Sequence, residues 1–203
     1  MARTRRADYA RSNRIRTLPL PDPEEAGIAA QRLLAAREAA GRRALCSDLV
    51  AVLSAQTTDP APELVMPDEN QPHRRKGGRI VYSLQGDYRR RAPSAGDPTV
   101  ARGGRPLGRI RVPNRTPARG AVVRPSAFLN TLLHEFGHHY DSERLGLQRS
   151  FHTSGFYARL RHLRDQIEAG AGDGLDEGAG RPVAPGDGPL PLLDRLWSII
   201  RGL

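Results

Sequence analysis

Apolar residues follow a helical period between positions 128 and 140. When each residue takes about 100° of turn, these side chains fall on one side of the segment. They are Phe128, Leu129, Leu132, Leu133, Phe136 and Tyr140. Pro125 suits a helix start and Gly146 suits a helix stop. The pattern predicts a helix with one face in the core, while the opposite face, carrying His134 and His138, lines a cleft.

Two further stretches have a helical pattern. Residues 21–55 begin with Asp22 and Pro23, a capping residue followed by proline at the first helical position. Gly41 is predicted to divide this stretch into two packing helices. Their apolar positions are Ile28, Leu33, Leu34, Leu45, Leu49, Val52 and Leu53. The second stretch, residues 156–167, has apolar residues at helical spacing and predicts another helix.

Two short stretches, residues 79–84 and 107–112, are typical of β-strands. Residues 57–76 and 85–105 are rich in proline, glycine and arginine, and therefore predict loops. Pro113 directly follows the second strand, which is compatible with a strand at the edge of a sheet and with a plain structural strand. The expected secondary structure therefore contains several helices and a small sheet.

Both ends of the chain lack a core pattern. Residues 1–20 carry six arginines against one acid, which predicts a mobile basic arm. Residues 21–168 are expected to form the folded domain, and residues 169–189 a linker rich in glycine, proline and aspartate. Residues 190–203 predict an amphipathic C-terminal helix that packs back onto the domain; a membrane-surface or partner-docking helix is the alternative.

The composition is lean in apolar residues, at 38% with only 5% aromatic, and rich in glycine (21) and proline (17). A chain of 203 residues is therefore expected to form one domain with a modest core and long loops. The formal net charge of +10 favours polyanionic partners such as nucleic acid, acidic proteins or anionic membranes. A solvated arginine-rich surface without a dedicated partner explains the same charge.

Cys46 is the single cysteine, so the chain has no internal disulfide and no zinc ribbon built from cysteines. It is predicted to be a small buried residue of a helix. No run approaches eighteen apolar residues, so no transmembrane helix is predicted. No apolar signal segment follows Arg5 and Arg6. With a free thiol, these features make a cytoplasmic location the expectation.

The cleft-facing side of the helix at 128–140 contains the pattern H-E-x-x-H, formed by His134, Glu135 and His138. Residues four apart lie one turn above each other, so both imidazoles can reach one cation. Neutral imidazole nitrogens bind Zn²⁺ at about 2.0–2.1 Å, and Glu135 is placed to take a proton from a metal-bound water. An ordinary amphipathic helix with incidental histidines is the alternative interpretation.

A catalytic zinc ion usually has three protein ligands and one water. His152 lies fourteen residues after the motif and can return over the metal through the following turn, so it is the predicted third ligand. Asp141 shares the histidine face but lies about 10 Å from His134 along the helix axis. That separation suits a supporting contact to an imidazole or an arginine better than ligation. Glu143 is a further alternative ligand, whereas His139 points to the apolar side.

A second motif, His152-Thr153-Ser154-Gly155-Phe156, opens the next predicted helix. Together with H-E-x-x-H and the short connection, it resembles the SprT-like and WLM-type minimal zinc metallopeptidases, which are gluzincin-like zincins. In those families the downstream pattern is His-Gly-x-x-Phe and its histidine is the third zinc ligand. Here the glycine is displaced. The cysteine zinc ribbon of many SprT-like proteins has no counterpart in this sequence.

The resemblance covers about residues 105–168 and implies an α+β, zincin-like minimal metallopeptidase domain. It would contain N-terminal packing helices, a small sheet, the active-site helix and the following helix, with a flexible basic N-terminal arm. The implied activity is zinc-dependent hydrolysis of a protein or peptide substrate, with Glu135 as general base. The strand at 107–112 would hold an extended substrate through its main chain if it is an edge strand; a purely structural strand fits equally well.

Other functions also agree with the sequence. For the hydrolase, a tyrosine or an arginine is expected to assist zinc in stabilising the oxyanion, and the alternatives are Tyr82, Tyr140 and Arg144. The main alternative is a non-enzymatic basic protein that associates with nucleic acid and has a structural or vestigial metal site. In that case the basic arm and loops would bind nucleic acid without sequence specificity. A third possibility is an amidase that acts on a small molecule.

Overall fold

The computed structural model describes residues 5–58, 61–91, 107–148 and 151–172. Helices and strands in these ranges form a mixed α+β arrangement, as the sequence predicts. In chain order the elements are α1 (Arg5–Arg14), α2 (Pro23–Ala35), α3 (Ala39–Thr57), β1 (Glu63–Val65), β2 (His73–Lys76), β3 (Arg79–Ser83), β4 (Asp87–Arg91), β5 (Leu107–Arg111), α4 (Pro125–Glu143) and α5 (Ser154–Gly170).

The larger sheet has three strands in the order β1-β5-β4. β5, which confirms the strand predicted at 107–112, runs parallel to β1 and antiparallel to β4. The alternative that it is an edge strand is wrong, because its backbone is paired on both sides and Ile110 is fully buried. Among the described strands, β1 and β4 are the two edge strands of this sheet. β4 lies in a stretch predicted to be a loop.

The smaller sheet is the β2–β3 hairpin. β3 confirms the predicted strand at 79–84, but β1 and β2 lie within residues 57–76, which were predicted as a loop. Gly77 and Gly78 both have positive φ, 55° and 76°, as a tight two-residue hairpin turn requires. The Gly-Gly pair was therefore the signal that could have revealed this hairpin.

The helices at 21–55 form as predicted, with a different division. Asp22 caps α2 by accepting a hydrogen bond of 3.0 Å from the backbone of Glu25. The break between α2 and α3 falls at residues 36–38, whereas Gly41 lies inside α3. Cys46 is fully buried in α3, as expected, and burial raises the pKa of its thiol to about 12.

α4 passes through the centre of the fold and contacts α2, α5, β4 and β5. It begins at Pro125, as predicted, and Gly146 with φ 62° follows its end. The apolar stripe predicted for this helix is buried. Its members are Phe128, Leu129, Leu132, Leu133, Phe136 and Tyr140. The opposite side of α4 faces α5, the other helix expected from the sequence.

The prediction of a mobile arm over residues 1–20 is corrected for residues 5–20, which form α1 and the segment that follows it; residues 1–4 lie outside the described ranges. Leu18 and Leu20 are buried in the core. The side chain of Gln166 on α5 donates to the carbonyl of Leu18 and accepts from the N–H of Leu20. Composition did not reveal this packing because α1 has almost no apolar residues and is held by polar tertiary contacts.

The C-terminal predictions concern a part of the chain that the structure hardly describes. α5 ends at Gly170, and residues 173–203 lie outside the described ranges. The predicted linker at 169–189 therefore lies mostly outside them, and the C-terminal helix at 190–203 entirely so. Within the described ranges, no helix has the length and hydrophobicity needed to span a bilayer.

Candidate metal centre

The Nε2 atoms of three histidines converge on one point. They lie 3.0 Å apart between His134 and His152, 3.2 Å between His134 and His138, and 3.1 Å between His138 and His152. Two ligand nitrogens of a tetrahedral zinc site, each at about 2.0–2.1 Å from the ion, are about 3.3–3.4 Å apart. The structure thus brings together the three residues predicted as ligands, close enough to bind one metal ion.

Hydrogen bonding among the three rings does not account for this triangle. Each Nε2 atom is either a donor or an acceptor, because a neutral imidazole carries its proton on one of its two nitrogens. Three atoms of only two kinds must include a donor–donor or an acceptor–acceptor pair, and such a pair repels at about 3 Å. A cation that takes all three lone pairs removes the conflict. The donor set therefore fits a metal ion better than it fits a hydrogen-bonded cluster.

Phe156, in the first turn of α5, supports the three rings. Its side chain is 1% exposed and stacks on His138, with ring centroids 4.4 Å apart and an interplanar angle of 15°. It meets His134 edge-on at 5.2 Å and His152 at 5.6 Å. Because one rigid aromatic side chain touches all three imidazoles, it restricts their rotation and favours the converging arrangement.

His152 reaches the site through an unusual backbone conformation. Its φ of 55° is the single positive value among the described non-glycine residues. This left-handed conformation is uncommon for residues other than glycine, and it persists where surrounding contacts enforce it. The next residue, Thr153, caps α5 by accepting a hydrogen bond of 3.0 Å from the backbone of Phe156. The chain reversal therefore occurs at the proposed ligand itself, one residue before the helix cap.

The environment keeps the imidazoles neutral. Burial, followed by the charge of His152, lowers the pKa of His134 to about 4. Burial, followed by the charges of the other two histidines, lowers the pKa of His138 to about 2. Burial also lowers the pKa of His152, the most exposed of the three. Metal binding requires the neutral form, so lone pairs are available at pH 7 without displacement of protons.

Glu135 lies under the start of β4 and is only 6% exposed. A Cβ atom built on Gly86 would lie 2.8 Å from Cγ2 of Thr131 and 3.0 Å from Oε1 of Glu135, so a larger residue where the chain enters β4 would displace these side chains. Burial, and then the charge of Asp87, raise the pKa of Glu135 to about 8, while a hydrogen bond from the backbone N–H of Tyr88 opposes the rise. A carboxylate with a pKa near neutrality is suited to exchange protons.

Asp141 is not part of the triangle. It accepts two hydrogen bonds from the buried guanidinium of Arg159, at 2.8 Å from Nε and 2.5 Å from Nη2. The structure thus supports the predicted contact with an arginine and not the alternative of ligation. Glu143, the other alternative ligand, pairs with Arg90 at 3.3 Å and accepts a hydrogen bond from the hydroxyl of Tyr88 at 3.4 Å.

Two residues around the site, Tyr157 and Arg159, were not predicted from the sequence. Tyr157 stacks beside His152, with ring centroids 6.1 Å apart, whereas Tyr82 is exposed on β3 and Tyr140 is buried in the core. Tyr157 follows Phe156 directly, so its position on α5 was a signal for its proximity. No comparable signal marked Arg159, one arginine among many.

Comparison of the chain with protein-family models, curated proteins and solved structures finds no match. What the site does must therefore be inferred from its own chemistry.

Proposed function

We propose that this protein is a zinc-dependent metallopeptidase with a zincin-like fold of the SprT-like or WLM type. The observation that carries the proposal is the triangle of Nε2 atoms from His134, His138 and His152. Imidazole nitrogen suits zinc, and three protein ligands leave one tetrahedral position for water or substrate. Glu135 follows the first ligand in sequence, which is the place of the general base in H-E-x-x-H hydrolases.

In this mechanism zinc would supply Lewis acidity, which acidifies a water molecule and polarises the scissile carbonyl. The carboxylate of Glu135 would take a proton from the attacking water and give it to the leaving amine. The N–H of Tyr88 donates a hydrogen bond to this carboxylate, and Gly86 lies beside it. Phe156 holds the three imidazoles.

β4 is proposed to bind the substrate. It is the edge strand on one side of the larger sheet as described, and it begins directly above Glu135. The free side of an edge strand can pair with an extended peptide through its main chain. β4 thus takes the substrate-binding role that the sequence analysis considered for β5. A peptide bound along β4 would lie beside the proposed general base.

Zinc binding and proteolysis test the proposal together. The wild-type protein is expected to bind one zinc ion per chain and to cleave an unfolded protein such as casein, with activity lost to a chelator and restored by zinc. His152→Ala should weaken zinc binding by about 100-fold or more, beyond the effect typical of supporting contacts. His73→Ala, a histidine of β2 outside the triangle, is the matched control and should bind zinc normally. One bound zinc without cleavage of any peptide would contradict the peptidase assignment.

The β2–β3 hairpin favours nucleic-acid binding as a second candidate function. No acidic residue occurs from Gln71 to Gly86. The hairpin instead carries four exposed cationic side chains and an exposed aromatic one. These are Arg74, Arg75, Lys76, Arg79 and Tyr82. Cationic side chains that bind phosphates, next to an aromatic ring on which a base can stack, are typical of single-stranded nucleic-acid sites. Because the hairpin is separate from the three histidines, this function is compatible with the first one.

Neutralising the hairpin tests this second candidate. The triple variant Arg74→Ala, Arg75→Ala, Lys76→Ala is expected to bind single-stranded oligonucleotides at least tenfold more weakly. Its slope of log affinity against log salt should fall by about 2, for three lost phosphate contacts. The control removes three exposed arginines elsewhere, in the variant Arg37→Ala, Arg119→Ala, Arg161→Ala. Equal losses in both variants would show that overall charge, and not the hairpin, determines binding.

A further inference from the structure

The end of α1 touches the start of α5, directly after His152. The hydroxyl groups of Ser12 and Thr153 share a buried hydrogen bond of 2.6 Å. The side-chain oxygen of Asn13 accepts hydrogen bonds from the hydroxyl of Ser154 at 2.9 Å and from the backbone of Gly155 at 3.2 Å. Two residues of α1 therefore bind the three residues that follow the proposed third ligand.

Gly155 allows α1 to approach this closely. A Cβ atom at Gly155 would lie 1.8 Å from the carbonyl oxygen of Ser12 and 2.8 Å from Cα of Asn13. These are backbone atoms, so any larger residue would push α1 away from α5. In this chain the motif is H-x-x-G-F, and its glycine is displaced from the His-Gly-x-x-Phe pattern. The displaced glycine is Gly155, the residue against which α1 packs.

Arg159 on α5 connects α1 to α4, the helix that carries His134 and His138. Its guanidinium is buried and directs two hydrogen bonds at Asp141 on α4. The remaining hydrogen bonds go to the N-terminal segment: to the carbonyl and hydroxyl oxygens of Ser12, both at 3.0 Å, and to the carbonyl of Ile15. All five N–H groups of this guanidinium are used. α1, α4 and α5 are therefore fixed to one another through a single side chain.

We propose that residues 5–20 act as a clamp that positions His152 for metal binding, with Ser12 and Asn13 as its positioning residues. This inference rests on the proposed role of His152 as a ligand. A left-handed backbone at a residue other than glycine is held in place by its surroundings, and here the anchoring contacts begin at the next residue. Without the clamp, His152 would adopt other backbone conformations and its Nε2 would leave the triangle. Cleavage or displacement of the N-terminal segment would then lower metal affinity.

Paired substitutions at Asn13 separate positioning from stability. Asn13→Leu keeps the size of the side chain but removes the acceptor, and should weaken Zn²⁺ and Co²⁺ binding by about tenfold, as loss of contacts that orient a ligand does. Asn13→Asp retains the acceptor oxygen and should bind these metals like the wild type. Ser12→Ala should resemble Asn13→Leu. Leu49→Ala, in the core of α3, should lower the free energy of unfolding while leaving metal affinity unchanged.

Affinities are measured by chelator competition at a temperature at which each metal-free variant is folded. The Co²⁺ absorption spectrum reports whether the coordination remains tetrahedral. Wild-type affinity in both Asn13→Leu and Ser12→Ala would overturn the clamp and leave the proposed function intact. If the wild type bound neither metal, the proposed function would fail. The clamp would then be judged by NMR of the metal-free protein, where an unchanged His152 ring signal in Asn13→Leu would overturn it as well.

Discussion

Glu135→Gln is expected to abolish proteolysis while preserving zinc binding, and to make the metal-free protein more stable at neutral pH. Glutamine cannot accept the proton of the attacking water, so kcat should fall by about 10²–10⁴-fold. Zinc affinity should change little, because residue 135 is outside the triangle of histidines. Hydrolysis at the wild-type rate by this variant would remove Glu135 from the mechanism.

The gain in stability follows from the raised pKa of Glu135. This pKa is about 8 in the folded protein against an ordinary value of 4.5, so the folded state holds a proton that the unfolded state releases. Stability contributed by this group is fully present below pH 4.5 and is lost as pH rises toward 8. Glutamine does not titrate. The variant should therefore exceed the wild type by about 3–4 kcal/mol at pH 7–8 and by little near pH 4.5.

Urea unfolding of the metal-free wild type and variant across this pH range measures the difference in their free energies of unfolding. The contributions of titrating groups that both proteins share cancel in this difference. Glu69→Gln is the control, since it makes the same substitution at an exposed glutamate outside the site. A constant difference between wild type and Glu135→Gln from pH 5 to pH 8 would show that residue 135 ionises normally in the folded protein.

The candidate site was predictable because its information is local. His134 and His138 are one helical turn apart, and the period of the surrounding apolar residues places both on the same face of α4. His152 follows α4 after a short connection, and so short a connection keeps it close to the other two histidines. Phe156 occupies the core-facing side of the next predicted helix. By contrast, the partner of Asp141 could not be predicted, because Arg159 lies on a different helix and the two residues meet only in the packed fold.

The strands were harder to predict than the helices because pairing, and not their own pattern, defines them. β2 and β4 have the sequences HRRK and DYRRR, which lack the apolar alternation of a half-buried strand. They form because β3 and β5 supply partners for their backbone groups. α1 was missed for a related reason: its few apolar residues suggested disorder, whereas its polar side chains are used for contacts with α5.

Removing one partner of the buried pair between Asp141 and Arg159 is expected to have the largest effect on stability. Asp141→Ala would leave the guanidinium without its counter-ion in a site that is 1% exposed, which should lower the free energy of unfolding by about 3–5 kcal/mol. Asp165→Ala removes an exposed acid of α5 and should change it by less than about 0.5 kcal/mol.

A double-mutant cycle shows whether the loss arises from the pair itself. In Asp141→Ala with Arg159→Met no unpaired charge remains buried, so part of the lost stability should return. The recovery should be incomplete, because methionine cannot donate to the carbonyl oxygens of Ser12 and Ile15. Additive effects of the two substitutions would mean that the carboxylate and the guanidinium stabilise the fold independently. In that case the connection from α4 to α1 would not pass through this pair, and only the direct contacts of Ser12 and Asn13 would remain to position His152.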